Sequence, residues 1–221
     1  MAMVVAEELV LLLTEPAGKP PVGSNSLRIG VAGALLLELA ALRRVTVDDR
    51  SRLAVLDTRP VGHPLLDRAL VAFAAKAGKR PRSVLPGVGK DLVDDIRRAL
   101  QHEGHLQEQR DTVLGIFPRT SWWLTDPAAV EQVRRELEAT LLGHRAPTSR
   151  TGGLVALVEA VDATPTLFSG AGGLSRRELK ARARAVGEGD WASEAVRKAI
   201  ADAQAAVVAG IAASAVAASS S

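Results

Sequence analysis

Between Leu27 and Leu42 the chain reads LRIGVAGALLLELAAL, an apolar run broken only by Arg28 and Glu38. No periodicity in it picks out a wet face. A helix that is apolar all round has to be buried by neighbours on several sides. At 1.5 Å per residue such a helix covers about 25 Å, enough to cross a small domain but short for a bilayer. The run therefore predicts the central helix of a single domain. Ser24, Asn25 or Ser26 can cap its start with a side-chain oxygen, and Arg43 and Arg44 stand at its end, where cations suit the helix dipole.

Amphipathic elements surround this run. Ala6 to Thr14 reads as a short helix with Glu7 and Glu8 in its first turn, and the proline and glycine of 16–23 read as a loop. Two β-branched runs, 44–47 and 52–56, flank a polar turn and predict a hairpin. Leu65, Leu66, Ala69, Leu70 and Phe73 share one face of a helix from Pro64 to Lys76, followed by a basic loop at 79–82. Leu92, Val93, Ile96 and Leu100 give a helix from Gly89 to His102, with Gly104 as its left-handed cap. A second hairpin follows, turning near Gln109 to Asp111 and returning through Val113 to Phe117. Thr125 or Asp126, with Pro127 behind it, starts a helix that runs to Gly143. Gly152 to Ala163 is a short apolar helix, and Ser175 with Glu178 is a capping box. An Ala-rich helix over 192–217 packs closely against the core rather than entering a membrane, because Ala adds little transfer free energy, and 218–221 fray. The expected fold is mostly α, a single domain over 1–221 with a buried apolar helical core, amphipathic helices around it and two short β-hairpins.

Catalytic chemistry is sparse. The chain has no cysteine, which excludes disulfides, thiolate metal sites and a cysteine nucleophile, and a reducing cytoplasm suits it. The apolar N-terminus carries Glu7 and Glu8 and no preceding basic residue, so it does not read as a secretory signal. Residues 86–91, PGVGKD, resemble a phosphate loop but lack its first glycine and its Ser or Thr, and 102–105, HEGH, lack the i, i+4 histidines of a zinc helix. Neither a catalytic residue, a metal site nor a cofactor is expected. Glu38, the one acid in the apolar run, is the best candidate for a perturbed carboxylate, and an arginine or a helix N-terminus can satisfy it structurally. The net charge of +3, with Arg far outnumbering Lys, favours anionic partners and planar contacts to carboxylate or phosphate.

Glu7 to Leu13, the segment Gly33 to Ala40 followed by Arg44 and Val45, the segment Pro64 to Leu70, the helix closing on Glu103 and Gly104, and the hairpin closing on Phe117 occur in an order that resembles the Golgi phosphoprotein 3 family. The resemblance covers essentially the whole chain. It implies a mostly helical domain without enzymatic activity that binds membranes peripherally through phosphatidylinositol 4-phosphate, on the cytoplasmic face. The Ala- and Arg-rich, Cys-free composition suits a bacterial member.

Aligned on these motifs, the family's headgroup pocket falls on Gly23 in place of a tryptophan, and on Ala32, Lys90 and Val93 in place of arginines. Only Lys90 keeps a charge. Arg28 lies four residues before Ala32 and Arg97 four after Val93, spacings that share a helix face and offer replacement cations. The resemblance also implies self-association through the second hairpin, where Leu114, Ile116 and Phe117 supply apolar content, with Trp122 and Trp123 just beyond. The expected partners are an anionic membrane lipid and a second copy of the chain. An alternative reading, a winged-helix nucleic-acid binder, rests on the twice-occurring order of helix then hairpin. Asp91, Asp94 and Asp95 in the second such helix argue against it.

Overall fold

The apolar run forms α2 (Ser24–Ala41), and every residue from Ile29 to Leu37 is buried. The computed structural model describes residues 3–14, 21–113, 117–189, 201–202 and 204–208. The fold is a mostly helical single domain with two small antiparallel hairpins. Around α2 lie α1 (Val5–Leu12), α3 (Pro64–Ala74), α4 (Pro81–His102) and α6 (Ser149–Ala160). Further out, α5 (Pro127–Leu141) rests on α1 and α6, and the short α7 (Thr164–Leu167) and α8 (Arg176–Gly187) close over α6.

The neighbours of α2 are segregated by face. Seven residues separate Gly30 from Leu37, so they share one side of the helix. A Cβ placed on Gly30 would stand 2.7 Å from Val161 at the end of α6, and one on Gly153 of α6 would stand 3.0 Å from Leu37. Arg28 takes the other side, where its carbonyl oxygen abuts Gly89 of α4. Gly187 of α8 in turn lies against Ala156 of α6. Thus α4 and α6 flank α2 on opposite sides, and α8 packs on α6.

Several element boundaries depart from the sequence expectation. No serine or asparagine side chain caps α2: Gly23 is its N-cap, and the Leu27 N–H donates to the Gly23 carbonyl at 3.0 Å. Arg43 and Arg44 lie past the end of α2, where Arg43 turns the chain with φ 54° and Arg44 pairs with Asp57. The first hairpin forms as expected, β1 (Val45–Val47) pairing with β2 (Leu53–Val55). By contrast, α4 begins at Pro81, eight residues before the expected start, and carries Pro86 in its second turn at the cost of one intrahelical hydrogen bond. Burial outweighs that loss, because Val84, Leu85 and Val88 continue the buried stripe of Leu92, Val93, Ile96 and Leu100. The helix ends as predicted, with Gly104 at φ 80° and the His105 N–H donating 2.8 Å to the Leu100 carbonyl.

The second hairpin is longer than expected. Its strands are β3 (Leu106–Val113) and β4 (Phe117–Leu124), in a register that pairs Val113 with Phe117 and Glu108 with Trp122. Gln109 and Arg110 are exposed strand positions, not a turn, and Trp122 and Trp123 belong to the return strand. Residues 114–116, and with them Leu114 and Ile116, lie outside the described residues. Asp126 caps α5 through the N–H groups of Ala128 and Ala129, and Ser175 with Glu178 closes the box at the start of α8, both as the sequence predicts. The apolar α6 starts three residues early, capped by Thr148. Of the expected last helix, 201–202 and 204–208 are helical; its remaining residues, like the tail 218–221, lie outside the described residues.

Candidate anion-binding site

The crossing of α2 and α4 brings Arg28 and Arg97 within range of one another. Gly89 lets the two backbones touch, since a Cβ there would stand 1.8 Å from the Arg28 carbonyl oxygen. Lys90, the next residue, is exposed, and Arg97 lies seven residues on, on the same face of α4. Arg28 and Arg97 are close enough for the charge of one to bear on the other. Burial, chiefly, pushes the Arg97 guanidinium below its ordinary pKa; Asp94 opposes this, and the Arg28 charge adds to it. The Arg97 side chain is 23% exposed, and its nearest carboxylate, Asp94, stands 3.5 Å from Nη1. Its Nε is buried with no hydrogen-bond partner. Neither Arg28 nor Lys90 pairs with a carboxylate among the described residues.

Arg97 is held from the far side by the second hairpin. Its Cζ stands 5.7 Å from the centre of the Trp122 ring, a cation–π distance. Alternation along β4 puts Trp122 and Trp123 on opposite faces. Trp122 thus packs against the core beside α4, while the Trp123 Nε1–H donates to the Ser121 hydroxyl at 3.3 Å. Trp122 lies within the hairpin and not beyond it as the sequence predicts, and it is the strand register that brings it to Arg97.

The other pocket positions separate. Ala32 and Val93 are buried, at 0% and 4% exposure, and belong to the packing between α2 and α4. Gly23 is exposed, and a Cβ placed there meets nothing within 4 Å. The chemistry available is therefore two guanidiniums, one ammonium and one aromatic ring, suited to bidentate contact with phosphate or carboxylate oxygens. Residues 86–91 sit inside α4 and form no phosphate loop. No cluster of metal-holding side chains occurs among the described residues.

Glu38 lies elsewhere, and its surroundings are structural. Its Oε2 accepts the Val5 N–H at 3.0 Å, while Glu7 Oε2 accepts the Val4 N–H at 2.8 Å, so two carboxylates satisfy the start of α1. Burial pushes the Glu38 carboxyl up from 4.5 to about 7, against the Val5 hydrogen bond and with help from the charges of Glu7 and Glu8. An acid whose folded-state pKa is raised keeps its proton in the folded protein while the unfolded chain loses it. Stability therefore falls as pH rises from about 4.5 to about 7 and stays lowered above. Glu38→Gln, which keeps an acceptor for Val5 without the charge, is expected to raise Tm at pH 8 and leave it little changed at pH 4.5. Equal shifts at both pH values in thermal melts would refute this account of Glu38.

The family model described as Golgi phosphoprotein 3 (GPP34) matches residues 5–203. No curated protein matches the chain.

Proposed function

Since the chain belongs to the Golgi phosphoprotein 3 (GPP34) family, whose members are non-enzymatic adaptors and peripheral membrane proteins that bind phosphatidylinositol 4-phosphate, we propose that it binds anionic lipid headgroups through Arg28, Lys90 and Arg97 beside Trp122. The observation that carries this reading is the pair of guanidiniums at the α2–α4 crossing, answered by a single carboxylate, Asp94. Like charges held together at a partly buried position cost free energy unless an anion joins them, and the buried, unpartnered Arg97 Nε is a donor for that anion. Peripheral attachment fits the helices, because none among the described residues is long and apolar enough to cross a membrane. In a bacterial cell the surface reached would be the cytoplasmic face of the plasma membrane.

Nucleic-acid binding has less support. Of the two helices that precede a hairpin, α2 is buried and α4 exposes Asp91 and Asp94. Self-association through the second hairpin rests on the family resemblance, because the side chains of Leu114, Ile116 and Phe117 are not among those described.

Co-sedimentation with vesicles of phosphatidylcholine alone, or with added phosphatidylglycerol or phosphatidylinositol 4-phosphate, tests the proposal at low and high salt. Anionic vesicles are expected to bind and neutral ones not. At about 1 kcal/mol per basic residue near an anionic surface, Arg28→Gln with Arg97→Gln is expected to weaken binding roughly tenfold or more. Full binding by the double variant would overturn the site; no binding of the parent protein to any anionic vesicle would overturn the function.

A further inference from the structure

A second concentration of positive charge lies on α8, whose sequence RRELKARARAVG sets Arg176, Arg177, Lys180, Arg182 and Arg184 against a single acid, Glu178. At 100° per residue, 176, 177, 180 and 184 fall within about 100° of arc and form one basic face. Leu179 and Ala183, on the flank next to Arg176, hold the helix to the domain. With Asp162, the four cations line a shallow depression of about 380 Å³.

Internal pairing accounts for only half of this face. Lys180 pairs with Asp162, and Arg184 Nε donates to Glu159 at 3.1 Å. Arg176 and Arg177 are exposed and pair with no carboxylate among the described residues. They occupy the first turn of α8, where the helix dipole disfavours cations, so they do nothing for the stability of the helix that bears them. What they offer is a pair of free guanidiniums beside two more cations.

We propose that this face of α8 docks a short acidic segment of a partner protein, in extended form and about four residues long. The length follows from geometry: 176 to 184 spans about 12 Å of helix, which four residues of extended chain cover. The choice of a protein over a lipid surface rests on the reading that the Arg28–Arg97 face turns toward the membrane. The helix α8 packs on α5, α6 and α7, whereas Arg28 and Arg97 belong to the α2–α4 crossing, so its basic face is a separate patch from the one read as turned to the membrane. Four cations, two of them already paired, also fall short of the roughly 6–10 phosphate contacts that hold a protein on a duplex.

Fluorescence anisotropy with labelled hexaglutamate, using the full chain at low salt, tests the assignment beside vesicle co-sedimentation and a labelled twelve-base oligonucleotide. Arg176→Gln with Arg177→Gln alters exposed side chains and leaves the Lys180–Asp162 pair in place, so its melting curve should match that of the parent. It is expected to weaken hexaglutamate binding about tenfold and leave vesicle binding unchanged. Arg28→Gln with Arg97→Gln should do the reverse, and Arg43→Gln with Arg50→Gln, two exposed arginines near the first hairpin, should leave the peptide bound. The proposal is overturned if the parent does not bind hexaglutamate, if the Arg43/Arg50 variant loses it equally, or if the Arg176/Arg177 variant loses vesicles. Tighter binding of the oligonucleotide, lost with Arg176 and Arg177, would also overturn it and make the face a nucleic-acid site. A parent protein that binds the peptide through α8 but no vesicle would overturn the lipid reading alone.

Discussion

Gly89→Ala is expected to lose about 3 kcal/mol or more of folding stability, a fall of roughly 10 °C in Tm for a domain of this size. The added Cβ would stand 1.8 Å from the carbonyl oxygen of Arg28 and 2.5 Å from its carbonyl carbon. Those atoms belong to the backbone of α2, not to the end of a flexible side chain, so no rotamer change relieves the overlap. The two helices must separate along a crossing that buries Val88, Leu92 and Val93 of α4 and the middle of α2. Gly87 is the internal control: it lies in the same helix, and a Cβ there meets nothing within 4 Å. Gly87→Ala should be neutral or gain up to about 1 kcal/mol from helix propensity. Urea or thermal unfolding of the pair decides the matter; similar behaviour of the two variants would remove the close crossing as an explanation. The crossing also sets the separation of Arg28 from Arg97, so a folded Gly89→Ala protein should bind anionic vesicles more weakly.

Arg150→Met carries the next largest expected effect, about 3 kcal/mol of lost stability. Arg150 at the start of α6 donates from Nε to both carboxylate oxygens of Glu8, each at 2.9 Å, and from Nη1 to Glu136 of α5 at 2.9 Å. Glu8 is buried and faces only 7% of its side-chain surface to water. One guanidinium thereby joins α1, α5 and α6, and its removal leaves a buried carboxylate without its counter-charge. Most of the loss should come from that carboxylate rather than from the missing pair itself. The double replacement Arg150→Met with Glu8→Leu should therefore recover much of the stability in denaturant titrations. A double variant no more stable than Arg150→Met would place the cost in packing instead.

The parts of this fold that the sequence made legible are those where one local signal dominates. The apolar run of α2, broken only by Arg28 and Glu38, marks a core helix, and Asp126, Ser175 and Gly104 mark helix ends by chemistry that acts over three or four residues. Reading failed where a local signal and a tertiary one conflict. Pro86, Gly87 and Gly89 look like a loop, yet burial of Val84, Leu85 and Val88 keeps the first turns of α4 helical, and Gly89 is there for the sake of the Arg28 carbonyl. The polar Gln109 and Arg110 look like a turn because nothing in their own chemistry reveals that the partner strand continues to Leu124. In the candidate site, Arg28 and Arg97 are accessible from the family resemblance joined to helical spacing. Trp122 is not, since its approach to Arg97 depends on the register of β4 and on where the hairpin lies across α4.

The packing of α8 on α5, α6 and α7, away from the α2–α4 crossing, also bears on how the two basic faces influence each other. With packed helix axes about 8–10 Å apart, more than one such spacing separates them. The Debye length at physiological ionic strength is about 8 Å, so an anion held at the Arg28–Arg97 crossing is largely screened from Arg176 and Arg177. The two faces act as weakly coupled ports, and what coupling there is through charge fades as salt rises.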